Sequence, residues 1–179
     1  MGVALAQLQL QLATGKTLAE LGLKPTHPAE PTGYALQVRI NMETMNPDGS
    51  VMPSAGIIAA FELPTGLGIR NETFGYAGYK TSSNFDSLLA KLIGHSSSSE
   101  FIQAVKKTCR ALSEFRIEGV QTNIPILQNI LEHPDFQKGK IYTEFVSDHL
   151  VELVKGESGM QRLPKPDAFP IAYRAGAKV

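Results

Sequence analysis

Apolar and polar residues alternate with period two from Tyr34 to Asn41. Tyr34, Leu36, Val38 and Ile40 fall on one face, and Gln37, Arg39 and Asn41 on the other, the pattern of a half-buried strand. Ile57, Ala59 and Phe61 repeat the alternation and predict a second strand. Leu88 to Ile93 is a short apolar run with Lys91 inside it, and its length favours a buried strand over a helix. Turn chemistry separates these segments. Asn46-Pro47-Asp48-Gly49 joins a proline that sets φ to a glycine that accepts positive φ, and Pro64, Gly66 and Gly68 precede Ile69-Arg70-Asn71.

The helical period takes over elsewhere. Leu5, Leu8 and Leu12 have helical spacing within residues 3–13; Leu8, Leu10 and Leu12 also alternate, but the strong helix formers and Gly15 beyond them favour a helix. Thr17 and Glu20 form a capping box for a short second helix that Gly22 stops. Pro25, His27, Pro28, Pro31 and Gly33 then make a boundary loop. Serines 96–99 precede a stripe of Phe101, Val105, Cys109 and Leu112, and a late serine is the expected N-cap. Asn123 is placed to cap a helix with Pro125 in its first turn and Ile126, Leu127, Ile130 and Leu131 as its apolar positions. Thr143 opens a last helix through Phe145, Val146, Leu150 and Val154 to Gly156. Pro164, Pro166 and Pro170 mark an extended tail. The pattern predicts an α+β fold, a mainly antiparallel sheet followed by packed helices, with residues 1–24 a helical lead-in, 25–155 the domain and 156–179 a linker or arm.

Composition narrows the chemistry. Seventeen basic residues balance seventeen acidic ones in 179, so no global field draws in nucleic acid or an anionic membrane, and any electrostatic function is local. The single cysteine, Cys109, excludes an internal disulfide and sits as a small hydrophobe in a helical stripe. With no long apolar span and no secretory pattern, a cytoplasmic setting is expected. Gly15-Lys16-Thr17 resembles the end of a phosphate-binding loop, but Leu10 stands where the first glycine belongs. Asn71-Glu72-Thr73 is a chance glycosylation match without a secretory signal. His27, His95, His133 and His149 are scattered, none at helical ligand-pair spacing, so no metal site is expected. His133-Pro134 reads as a helix stop. Arg39 carries the one distinctive chemistry: a cationic fork on a rigid strand, suited to an anion or a developing oxyanion.

Five segments, in order, match one family. Val38-Arg39-Ile40-Asn41 is similar to its Cys-Arg-Ile-Asn strand, and Pro53-Ser54-Ala55-Gly56 to its Pro-Ser-Pro-Gly turn. Tyr76-Ala77-Gly78-Tyr79 is intact. Phe85-Asp86-Ser87-Leu88-Leu89-Ala90-Lys91-Leu92-Ile93 is similar to Tyr-Asp-Ser-Met-Ile-Gly-Lys-Leu-Ile, and Glu118-Gly119-Val120-Gln121-Thr122-Asn123 to Asp-Gly-Ile-Lys-Thr-Asn. From about residue 2 to 150 the chain resembles the C-terminal domain of biotin carboxylase, the ATP-grasp component of biotin-dependent carboxylases.

The resemblance implies ATP-driven carboxylation of biotin, with Arg39 as the catalytic contact to the ureido oxygen. Thr143 falls where the family meets the adenine ring, and Asp86, Lys91 and Arg70 match positions of domain architecture and dimer contact. Implied cofactors are biotin on a carrier domain, with ATP and Mg in the full enzyme; implied partners are the remainder of the carboxylase, the carrier and carboxyltransferase domains, and a second copy. Val38, Gln37, Met42-Glu43-Thr44 and Ala55 depart from the usual residues, in a manner similar to large single-chain acyl-CoA carboxylases. The family's glycine-rich lid, metal-binding carboxylates and general-base glutamate lie upstream of the matched segment. The chain is therefore expected to be a fragment that binds no cofactor and is inactive alone. An assembly module with no catalytic role, or a piece of another ATP-grasp ligase, are the alternatives.

Overall fold

The computed structural model describes residues 4–23, 32–82 and 86–156. Along the chain lie α1 (Leu5–Ala13), β1 (Tyr34–Asn41), β2 (Glu43–Met45), β3 (Val51–Pro53), β4 (Ala60–Glu62), β5 (Ile69–Thr73), β6 (Leu88–Ser96), α2 (Phe101–Glu114), β7 (Arg116–Glu118), α3 (Ile124–Glu132), α4 (Pro134–Gln137), α5 (Phe145–Asp148) and α6 (Leu150–Lys155). The apolar run from Leu88 extends to Ser96 and becomes the central strand of a sheet ordered β1-β6-β5. All its pairings are antiparallel, as are those of the β2-β3 hairpin and the β4-β7 pair. The α+β expectation therefore holds.

Alternation decides which face of this sheet is covered. Along β1, Leu36 and Val38 are half-buried and Ile40 is buried, while Gln37 and Arg39 are exposed. Ile40, Ala90 and Leu92 pack with Val105, Cys109, Ala111 and Leu112 of α2, and with Phe115 and Leu131 behind them. The helix lies close because Gly94 lacks a side chain: a Cβ there would stand 2.2 Å from Thr108 Oγ1. A smaller cluster of Met42, Ile58 and Leu89 closes the end of the sheet. No described helix is long and apolar enough to cross a membrane.

Several local expectations change. Ile58, not Ile57, is the core residue of its segment; Ile57 is exposed in an isolated bridge to Lys80, and the strand proper starts at Ala60. The Thr17–Glu20 capping box forms, with Glu20 N–H donating to Thr17 Oγ1 and Thr17 N–H to Glu20 Oε2. It starts only one turn, because Gly22 reverses the backbone at φ 72°. Glu100 rather than a serine occupies the N-cap of α2. Ser96 is drawn into β6, and Ser98 Oγ accepts from Glu100 N–H. The last helix breaks at His149, whose Nδ1 bonds the Phe145 carbonyl at 2.9 Å while the backbone bond to that carbonyl stretches to 3.3 Å. His133 ends α3 as expected and also caps α4, its Nδ1 accepting from Asp135 N–H. Most of the boundary loop and of the C-terminal tail lie outside the described residues.

Burial pushes the Cys109 thiol up to about 11, with the Glu132 carboxylate 3.7 Å away adding to the effect. A thiolate is the reactive form, so Cys109 is protected chemically as well as sterically. Iodoacetamide at pH 8 is expected to label the unfolded chain readily and the native chain at least about ten times more slowly. Equal rates, followed by mass spectrometry, would show that this core opens.

Candidate functional site

The open face of the sheet is built by register. Arg39 of β1 stands opposite Lys91 of β6, and Lys91 stands opposite Glu72 of β5. The next row is Gln37, Ile93 and Arg70. Cross-strand partners share a face, so β1 presents its guanidinium within a mixed-charge surface. Arg70 is paired with Glu72.

The Arg39 side chain is 47 % exposed. Its Nη2 donates to Asp86 Oδ2 at 3.0 Å and to Oδ1 at 3.3 Å. Asp86, just ahead of β6, also accepts from Leu88 N–H at 3.0 Å. That backbone bond first, and the guanidinium after it, hold the Asp86 carboxyl below the usual carboxylate range. The sign follows: the pairing is intact above the unfolded carboxylate value near pH 4 and is lost only as pH falls through the lowered one. Neutral pH therefore never releases Arg39. A competing acceptor can, because an ion pair this exposed to solvent is weak. Among the described residues, the hydrogen bonds of the guanidinium are those that Nη2 makes to Asp86.

Below Arg39 the backbone is clamped by Asn123. Its Nδ2 donates to the Arg39 carbonyl at 3.0 Å, and its Oδ1 accepts from Asn41 N–H at 2.8 Å. Asn123 N–H donates to the Asn41 carbonyl at 3.1 Å. The residue occupies the N-cap of α3, yet its side chain makes no capping bond, because both ends of the amide are spent on β1. The pairing register shifts between Ile40 and Asn41, so the strand ladder fails there and Asn123 replaces it. The helix-capping position predicted for Asn123 holds, but its role on β1 left no signal in the local sequence. The Asn41 amide does not flank the guanidinium as its place on the polar face suggested. Its Nδ2 donates to Glu43 Oε1 at 2.8 Å, and Ser87 Oγ donates to Glu43 Oε2 at 2.6 Å.

Asn123→Ala removes the acceptor of a part-buried Asn41 N–H and the donor to an exposed Arg39 carbonyl, and is expected to destabilise the domain by about 1–2 kcal/mol. It should also lower any activity that depends on Arg39 even under conditions where the chain is fully folded. Urea denaturation with a parallel assay of the intact enzyme checks both. A stable, fully active variant would exclude the clamp.

Thr143 is exposed in the loop before α5, and its side chain has no hydrogen-bond partner among the described residues. No described contact brings it to Arg39.

The profile of the biotin carboxylase C-terminal domain matches residues 37–148, and the chain belongs to that family. It is 38% identical over 149 residues to a biotin carboxylase of Halalkalibacterium halodurans, covering 83% of this chain and 31% of that protein. A pyruvate carboxylase of Aspergillus terreus is 37% identical over 165 residues, covering 90% of this chain and 13% of that one. Among solved structures, a single-chain, multi-domain long-chain acyl-CoA carboxylase superposes with TM-score 0.76 at 38% identity, over 91% of this chain and 17% of that chain. A biotin carboxylase domain dimer of Hydrogenobacter thermophilus 2-oxoglutarate carboxylase, in complex with MgADP and bicarbonate, superposes with TM-score 0.69 at 31% identity, over 87% and 33%. The chain thus spans about a third or less of these relatives' lengths.

Proposed function

We propose that this domain forms one wall of a biotin carboxylase active site, where Arg39 donates to the ureido oxygen of biotin as that group gains negative charge. The observation that carries the reading is the half-exposed guanidinium of Arg39, fixed by backbone on an open sheet face and tied, among the described residues, only to a solvent-exposed carboxylate. A guanidinium keeps its charge throughout the physiological range, so it can stabilise an enolate-like oxygen without a proton transfer. Asp86 holds the fork in place until that oxygen competes for it.

Magnesium and most of the nucleotide site belong to other parts of the parent enzyme. Among the described residues of this face, Asp86 is engaged by Arg39, Glu43 by Asn41 and Ser87, and Glu72 by Arg70, so they offer no unpaired carboxylate pair to a hard cation. Thr143 would contribute only an exposed hydroxyl to the adenine wall. Bicarbonate and the general base come from the upstream lobes, and the 179-residue chain alone turns over no ATP. The carrier domain delivers biotin, a carboxyltransferase domain takes the carboxyl group, and the mixed-charge sheet face, with Arg70, Glu72 and Lys91, supports pairing with a second copy.

The test is an activity split in the intact carboxylase. With Arg39→Ala, biotin-dependent ATP turnover falls steeply, whereas slow bicarbonate-dependent ATP turnover without biotin persists. Equal loss of both, or of neither, removes Arg39 from the biotin step.

A further inference from the structure

His133, Asp135 and His149 converge although His149 lies fourteen residues beyond Asp135 in the chain. One ligand atom from each lies within 4.8 Å of the others. His133 sits at the α3–α4 junction and Asp135 in the first turn of α4, while His149 sits at the α5–α6 junction. The two imidazole centroids are 4.5 Å apart. Both rings rest on buried Phe145, His133 edge-on at 5.1 Å and His149 stacked at 4.7 Å. The Glu152 carboxylate is 3.8 Å from His133 Nε2.

From this geometry we infer that His133, Asp135 and His149 bind a divalent transition-metal ion of the zinc class. Two neutral imidazoles and a carboxylate are the donor set such ions select, in contrast to the all-oxygen sets of magnesium and calcium. Donors no more than 4.8 Å apart reach a common ion at about 2.1 Å if each moves by less than about 1 Å. His149 is already oriented: its Nδ1 faces the Phe145 carbonyl at 2.9 Å, the outer-shell bond that leaves Nε2 as the ligand atom. His133 currently spends its Nδ1 lone pair on Asp135 N–H at 3.2 Å, and coordination replaces that one capping bond. Lys140, 3.8 Å from Asp135 Oδ1, is the competing cation, and it is exposed and loosely held. With one carboxylate and two neutral rings as ligands, the remaining position on the ion is open to water.

Such an ion would tie the α3–α4 junction to the α5–α6 junction and fix the intervening loop. That loop carries Thr143, so an effect on nucleotide affinity would rest on the proposed function above; binding itself does not.

The test is titration of tag-free, chelator-treated protein with Co2+, read by its visible absorption, followed by displacement with Zn2+. About one equivalent should bind with a nitrogen-ligated spectrum, be displaced by Zn2+, and resist a large excess of Mg2+. Asp135→Asn and His149→Gln should each weaken binding by about tenfold or more, and His95→Gln on β6 should change nothing. Circular dichroism confirms that each variant is folded, and Asp135→Asn alone decides if His149→Gln is not. No Co2+ spectrum with the wild-type protein, or affinity unchanged in folded Asp135→Asn, would overturn the site.

Discussion

Alanine at position 39 is expected to reduce biotin-dependent turnover of the intact carboxylase by about 10²–10³, the loss typical of one oxyanion donor, or roughly 3 kcal/mol of barrier. The same change should move folding stability by no more than about 0.5 kcal/mol, because the side chain is 47 % exposed and its partner Asp86 is 65 % exposed. This combination separates a chemical role from a structural one. Lysine at 39 should recover only part of the rate: it keeps the charge but loses the planar fork. The decisive measurement is kcat for biotin-dependent ATP turnover at saturating biotin, set beside a urea denaturation curve. Normal turnover in folded Arg39→Ala protein would end the proposal, and so would complete rescue by lysine if the fork geometry is held to matter.

The largest stability effect is expected at Leu92. It is fully buried on the central strand, on the opposite face from Lys91, and belongs to the cluster joining β1, β6 and α2. Leu92→Ala should cost about 2–5 kcal/mol, the transfer free energy of the lost atoms plus a cavity that neighbouring residues cannot fill. Relief by helix movement is restricted because α2 already touches the sheet where Gly94 meets Thr108. Leu67→Ala is the matching control: Leu67 is 94% exposed in the turn before β5 and should change stability by less than about 0.5 kcal/mol. Comparable urea midpoints for the two variants would contradict this placement of the core.

The placement of Arg39 on the exposed face of β1 was legible in the sequence, since alternation assigns a face without any tertiary information. Asp86 was visible as a matched family position, but its ion pair with Arg39 spans 47 residues and left no local trace. The role of Asn123 on β1 was hidden for the same reason: helix capping is a local rule, and the shifted register that claims its amide arises only when β1 and β6 pair. The histidines show the limit most clearly. Spacing along one helix is the only metal signal a linear reading offers, whereas His133 and His149 meet through a turn between two separate helices.

Side-chain periodicity by itself determined which segments form strands and helices and the outward placement of a guanidinium on the first strand, because covering one face of a strand or helix is a nearest-neighbour consequence of backbone geometry. Tertiary structure alone decided which groups meet that guanidinium, what braces its backbone, and which imidazoles share a ligand cluster, because those contacts depend on where chain segments far apart in sequence come to rest.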